Sequence, residues 1–245
     1  MRRICTLALA GAGALALPAS ASAAAAAALD KPCYVASQPG TLGLFGFAPN
    51  AVVTVASADL GSMKVTTDAT GSFAIPFRPP AGTDLKRPGS REIAFTATED
   101  ANPANTATAT SRIAPLAFAT DKGTKSPKAK RSWYFSGWTI GQPIYAHFRF
   151  RGRTKGNFKF GVATGPCGEY KRRAPGIAIK GRVPAGSWTV QVDQAPKYSP
   201  ATMPSLKDKT VVFTRFRRRS AVGAAALSSA ALSGFYRFGG FNAGL

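Results

Sequence analysis

One histidine, 11 acidic residues and three cysteines among 245 residues leave little material for catalysis. A histidine-rich zinc site is excluded because His147 stands alone, and a Cys/His cluster is lacking. A Ser-His-Asp device would have to be built on His147, in the middle of an extended segment beside Tyr145 and Arg149. From residue 114 to residue 219 the only carboxylates besides Asp121 are Glu169, Asp193 and Asp208, which leaves a paired acid/base site without support. Walker loops, dinucleotide fingerprints and nucleophile elbows are absent. A Cys167–His147 pair is the one conceivable nucleophile and base, and a disulfide at Cys167 would abolish it. The expectation is a protein without catalytic residues, metal or cofactor.

Long apolar runs are scarce as well. The one near the N-terminus, residues 4–17, is about 14 residues long, short of the roughly 20 that cross a bilayer. It follows Met1-Arg2-Arg3 and is closed by Pro18 and Ala19-Ser20-Ala21-Ser22-Ala23, the basic, apolar and small-residue plan of a secretory signal. Residues 1–23 are therefore expected to be a signal peptide. Cleavage is expected between Ala21 and Ala28, with Ala21-Ser22-Ala23 favoured; an uncleaved anchor is the alternative. Cys33 follows Asp30-Lys31-Pro32, which lacks the Leu-x-small-Cys character of a lipid-modified cysteine. The chain is expected to be secreted or cell-envelope associated, with no membrane span after cleavage.

Cys5 would leave with the signal, so only Cys33 and Cys167 remain. In an oxidising compartment two leftover thiols tend to pair. Such a bridge closes a loop of about 130 residues, worth roughly 4–5 kcal/mol on the chain-entropy model. Two separate thiols are the alternative, because pairing needs the two Cα atoms within reach.

Basic residues number 32, and their distribution matters more than the net charge of +21. Residues 30–112 carry seven basic and seven acidic residues; residues 114–219 carry 22 and, with Asp121, four, a net of +18. The two halves thus do different electrostatic work. Gly and Pro are frequent, at 25 and 18 residues, and short alternating Val, Phe and Thr runs recur. This composition points to antiparallel β-structure rich in turns.

Residues 29–113 read as the first domain. Phe73, Ile75 and Phe77 alternate with polar or small neighbours, as do Ile93, Phe95 and Ala97, and Val53 and Val55, each set giving one inward face. Pro39-Gly40, Pro49-Asn50, Asp68-Ala69-Thr70-Gly71, Pro79-Pro80 and Pro88-Gly89 mark turns between them. Asp68, Asp100, Asn102 and Asn105 lack EF-hand spacing, and capping of turns by their side chains is the commoner use. Gly46-Phe47-Ala48-Pro49-Asn50-Ala51 followed by Asp68-Ala69-Thr70-Gly71-Ser72-Phe73 resembles the repeats of exported bacterial Ig-like β-sandwich proteins of actinobacterial type. The resemblance implies an immunoglobulin-like sandwich and no particular activity.

Residues 114–219 read as a second, basic sandwich domain, entered through a polar connector over residues 122–131. In Ile144-Tyr145-Ala146-His147-Phe148-Arg149-Phe150-Arg151, Ile144, Ala146, Phe148 and Phe150 share an inward face; Tyr145, His147, Arg149 and Arg151 share the outward one. Residues 152–156 are expected to form the turn. The return strand then puts Phe158, Phe160 and Val162 inward and Asn157 and Lys159 outward. Gly165-Pro166-Cys167-Gly168 reads as a turn followed by the basic cluster Lys171-Arg172-Arg173, Trp188 as a core residue, and residues 210–216 as the last strand. Tyr145-Ala146-His147, Gly165-Pro166-Cys167-Gly168 and residues 188–194 resemble second domains that follow Ig-like repeats in exported actinobacterial proteins, to which no activity is attached. Residues 220–245 read as a low-complexity, disordered tail.

The fold expected is all-β: two Ig-like antiparallel β-sandwich domains in tandem after a signal peptide. The function expected is that of a non-enzymatic binding module. Tyr145, His147, Arg149, Arg151, Arg153, Lys155, Lys159, Lys171, Arg172 and Arg173 form a surface for an anionic cell-wall polymer or acidic polysaccharide. A nucleic acid is a second candidate partner for the same surface. A structural or adhesive Ig-like protein without a charge-specific ligand is the third reading.

Overall fold

The computed structural model describes residues 24–82, 84–85, 87–121 and 126–212. The expected signal peptide, the tail, residues 122–125 of the connector and the last strand candidate beyond Val212 lie outside them. No helix occurs among the described residues. The strands are β1 (Ala26–Leu29), β2 (Cys33–Val35), β3 (Gly40–Phe45), β4 (Val52–Ser57), β5 (Gly61–Thr66), β6 (Phe73–Phe77), β7 (Arg91–Glu99) and β8 (Thr106–Ala114), then β9 (Ala117–Thr120), β10 (Lys130–Ser136), β11 (Pro143–Phe150), β12 (Arg153–Val162), β13 (Tyr170–Pro175), β14 (Gly186–Asp193) and β15 (Ser205–Val212). The fold is all-β, and the described residues form four sheets whose pairings are antiparallel except for β2 beside β8.

In the first half, the order β1-β3-β6 makes one sheet and β2-β8-β7-β4-β5 the other. Alternation explains the pairing. Val53, Val55, Ile93, Phe95, Ala97, Ala107, Ala109 and Ile113 turn inward and meet Leu42, Leu44 and Ile75 of the opposite sheet. The threonines of β7 and β8 stay outside, with Thr96 opposite Thr108 and Thr98 opposite Thr106, the kind of cross-strand pair that fits a half-solvated sheet. Phe73, expected inward, is instead 39% exposed at the start of β6. The expected turn chemistry operates at residues 68–72. The Asp68 carboxylate accepts hydrogen bonds from the Thr70 hydroxyl (2.6 Å), the Thr70 amide (2.8 Å) and the Ser72 amide (3.0 Å). These bonds, the Thr70 hydroxyl foremost, hold its carboxyl below the usual carboxylate range. Asp100 serves Lys64 and Thr54, and Asn105 donates to Glu99.

In the second half, β13-β10-β9 forms one sheet and β12-β11-β14-β15 the other. Trp133, Phe135 and Ala174 of the first meet Ile144, Ala146, Phe148, Phe160, Trp188, Val190, Val192 and Val212 of the second. Trp188 is wholly buried, as its alternation required. Between the two cores lies a small cluster of Cys33, Val35, Ala114 and Cys167. There Cys33 and Cys167 are disulfide-bonded, with Cα atoms 5.4 Å apart. Gly168 beside the bridge has a φ of +61°, and a Cβ there would collide with the Trp138 carbonyl, so glycine is the residue this turn accepts.

Candidate anion-binding surface

Antiparallel register fixes which side chains share the outer face of the β12-β11-β14-β15 sheet. Thr154, Arg149, Thr189 and Lys209 form one cross-strand row; Asn157, His147, Gln191 and Lys207 form the next; Lys159, Tyr145, Asp193 and Ser205 form a third. Opposed residues of an antiparallel pair point to the same side. The expected common face of Tyr145, His147 and Arg149 is therefore present. Lys207 and Lys209, which the sequence reading did not select, join it.

The expected exposure of that face needs correction. The loop 194–204 folds back over its middle, bonded through the Ser199 carbonyl to Gln191 Nε2 (2.8 Å) and through the Ala195 amide to Asp193 Oδ1 (2.9 Å). Beneath it His147, Gln191 and Asp193 are completely buried. His147 faces Asn157 Oδ1 through Nδ1 at 2.8 Å and Asp193 Oδ1 through Nε2 at 3.0 Å, while Gln191 Nε2 donates to Asp193 Oδ2 at 2.7 Å. His147 is thus an internal anchor and not a surface contact. Both ring nitrogens are engaged, and Cys167, its conceivable catalytic partner, is held in the disulfide.

Tyr198 of the same loop sets its ring edge-on to His147, with centroids 6.0 Å apart. The Arg149 guanidinium lies 4.2 Å from the centre of that tyrosine ring. Arg149 Nη2 also donates to the Gly152 carbonyl, and its Nε is buried without a partner among the described residues. Half-buried Arg149 is therefore held in one place by stacking and by a carbonyl, a contact worth about 0.5–2 kcal/mol for an arginine over a tyrosine. Tyr145 is half-buried beside the His147 ring.

The hairpin is tighter than expected. Phe150 pairs with Arg153, so Arg151 and Gly152, at φ of +49° and +75°, make a two-residue turn. This is the conformation that matches the twist of the flanking strands. Arg153 and Lys155 consequently stand on β12, exposed, with Arg151 exposed at the turn itself. Register shifts between Ile144 and Tyr145 and between Phe148 and Arg149 break the simple alternation of β12. Phe160 is buried, Phe158 half-buried and Val162, expected inward, 39% exposed.

Lys171, Arg172 and Arg173 lie on the other sheet, opposite Tyr134, Trp133 and Ser132. Lys171 sits over the Tyr134 ring at 5.2 Å, and Arg87 of the first half lies over the same ring while donating to its hydroxyl at 3.1 Å. Arg172 turns toward β12, where it donates to the carbonyls of Lys159 and Phe160 and lies over Phe158. It ties the edges of the two sheets and is not one surface with the hairpin. The structure thus divides the ten expected residues between an outer sheet face, a hairpin turn and a second sheet.

The acidic groups of this half point elsewhere. Asp193 is under the loop; Glu169 accepts from Ser90 of the first half; Asp121 lies 3.8 Å from Arg87. Asp208, opposite Val190 on β15, faces the mouth of the core beside Trp133 and Val212. Burial pushes its carboxyl up, and the Lys209 amide offsets this in part. Among the described residues, no group of three or more His, Cys, Asp or Glu side chains is placed to hold a metal ion. No helix there is long and apolar enough to cross a membrane.

No family model matches this chain, and no curated protein matches it. Solved structures that overlap it include a tetra-tandem repeat in the extending region of a large adhesion protein, 17% identical over 76% of this chain and 47% of that one, with a TM-score of 0.24. Red sea bream transglutaminase overlaps at 12% identity over 70% of this chain and 29% of that one, with a TM-score of 0.27. The YadV chaperone overlaps at 10% identity over 76% of this chain and 99% of that one, with a TM-score of 0.25. The chain spans about half the length of the adhesion repeat structure. Overlaps this loose carry no argument about function.

Proposed function

We propose that this chain is an exported, non-enzymatic binding module whose basic half holds an anionic cell-envelope polymer or acidic polysaccharide. The observation that carries this reading is the opposite placement of the two charge signs. The four carboxylates of the basic half are buried, half-buried or engaged across the junction, while Arg151, Arg153, Lys155, Lys159, Lys207 and Lys209 are exposed. Asp208, between Lys207 and Lys209 on β15, turns to the opposite face of the sheet, and the exposed cations sum into one field that concentrates a polyanion. The Cys33–Cys167 bridge supports export, since disulfides persist in oxidising compartments.

The test is retention of the mature protein on purified cell envelopes across a salt gradient. Strong retention at low salt, released steeply as salt rises, is the expected result, because each neutralised anion frees a condensed counterion. Absence of retention at any salt would end the reading. Release by single-stranded DNA but not by soluble wall polymer at one salt concentration would replace it with nucleic-acid binding.

A further inference from the structure

The buried His147–Asp193 pair has no role in a surface that works by charge alone. An outward strand face with fully buried His, Gln and Asp is costly to build, because each polar group must find a partner away from water. The pair sits beneath Tyr198, and Tyr198 carries Arg149. From these contacts we infer that Arg149 is the specific oxyanion contact of the basic face, with Lys207 and Lys209 beside it and with Tyr198, His147 and Asp193 as positioning residues. The inference rests on the polyanion reading above and names the group that reads the ligand.

The chemistry follows from the guanidinium. Its fork donates two parallel hydrogen bonds to a phosphate or a carboxylate, a geometry that an ammonium cannot supply. Stacking on Tyr198 and bonding to the Gly152 carbonyl fix its orientation before the ligand arrives, so little freedom is lost on binding. Lys209 shares the row of Arg149 two strands away, a separation of about 10 Å, and Lys207 lies about 7 Å along β15 from Lys209. Three cations on one face at these spacings suit oxyanions repeated along a linear polymer. The repeating group is a phosphate or a uronic carboxylate.

Arg149→Lys, Tyr198→Leu, Tyr198→Phe and Lys207→Gln/Lys209→Gln separate orientation from charge. Binding is measured against inorganic polyphosphate and polygalacturonate over a range of salt. Arg149→Lys keeps the charge, and we expect binding about tenfold weaker, with the slope of affinity against salt unchanged. Tyr198→Leu should give the same loss although no charge is removed, and Tyr198→Phe, which keeps the ring, should bind like wild type. The lysine pair should instead flatten the slope by about two ionic contacts. A loss seen only with polyphosphate identifies phosphate as the group read, one seen only with polygalacturonate identifies carboxylate, and a loss with both identifies oxyanions generally. Wild-type binding by Arg149→Lys and Tyr198→Leu would overturn this inference and leave the envelope reading standing. Failure of wild-type protein on envelopes would remove both.

Discussion

Asp208 is a carboxylate whose ionised form is opposed by burial. It sits on the inward parity of β15, opposite Val190, at a pocket lined by Trp133, Val190 and Val212 together with Arg131 and Thr210. Its folded carboxyl holds the proton more tightly than an unfolded one, by desolvation. The ionised form is therefore disfavoured by folding, and the destabilisation is present above the raised folded value. It disappears as pH falls below the ordinary carboxylate value of about 4. Asp208→Asn should raise the melting temperature at neutral pH, with the gain vanishing toward pH 3; a thermal melt series over that range checks it. A fall in melting temperature at neutral pH would show that the charge is used. Asp68 behaves oppositely. Its carboxyl is lowered by the Thr70 and Ser72 bonds, so its contribution is present above the ordinary carboxylate value and is lost as pH falls through the lowered one.

At the scale of single elements, the β11–β12 hairpin shows what one turn residue costs. Arg151 occupies the left-handed region at φ +49°, where an L-residue with a long side chain is strained, and asparagine is favoured there before a glycine. Arg151→Asn should stabilise the protein by about 1 kcal/mol in chemical denaturation, while removing one exposed cation. An unchanged or lower denaturation midpoint would refute the turn assignment. Strands with strong period-2 patterns were legible in the sequence: β4, β7, β11 and β14 follow directly from Val53/Val55, Ile93/Phe95/Ala97, Ile144/Ala146/Phe148 and Trp188/Val190/Val192. β1 was not, because a run of alanines carries no alternation, and β13 was not, because Lys171, Arg172 and Arg173 read as a basic anion-binding cluster after a turn. Parity also placed Tyr145, His147 and Arg149 on one face. It does not say what covers a face. The return of loop 194–204 over His147 is a tertiary contact with no local signature, so neither the burial of His147 nor the role of Tyr198 could be read in advance.

At the scale of the whole molecule, the two cores share no buried side chain among the described residues, yet the halves are joined by more than chain continuity. Arg87 of the first half donates to the Tyr134 hydroxyl at 3.1 Å and lies 3.8 Å from the Asp121 carboxylate. Ser90 bonds both Glu169 and Arg112. The disulfide closes a separation of 134 residues, and on the chain-entropy model it restricts the unfolded chain by about 5 kcal/mol. The polar contacts at the junction are each worth about 1 kcal/mol, too little to impose one cooperative transition on two separate cores. The bridge is therefore expected to do so. Cys33→Ala/Cys167→Ala should lower the melting temperature and split a single calorimetric transition into two, because each half keeps its own core but loses the link that makes their unfolding coincide. One unchanged transition in the double variant would show that the packing of Val35 against Gly137 already joins the halves, and that the disulfide adds only covalent insurance to an interface complete without it.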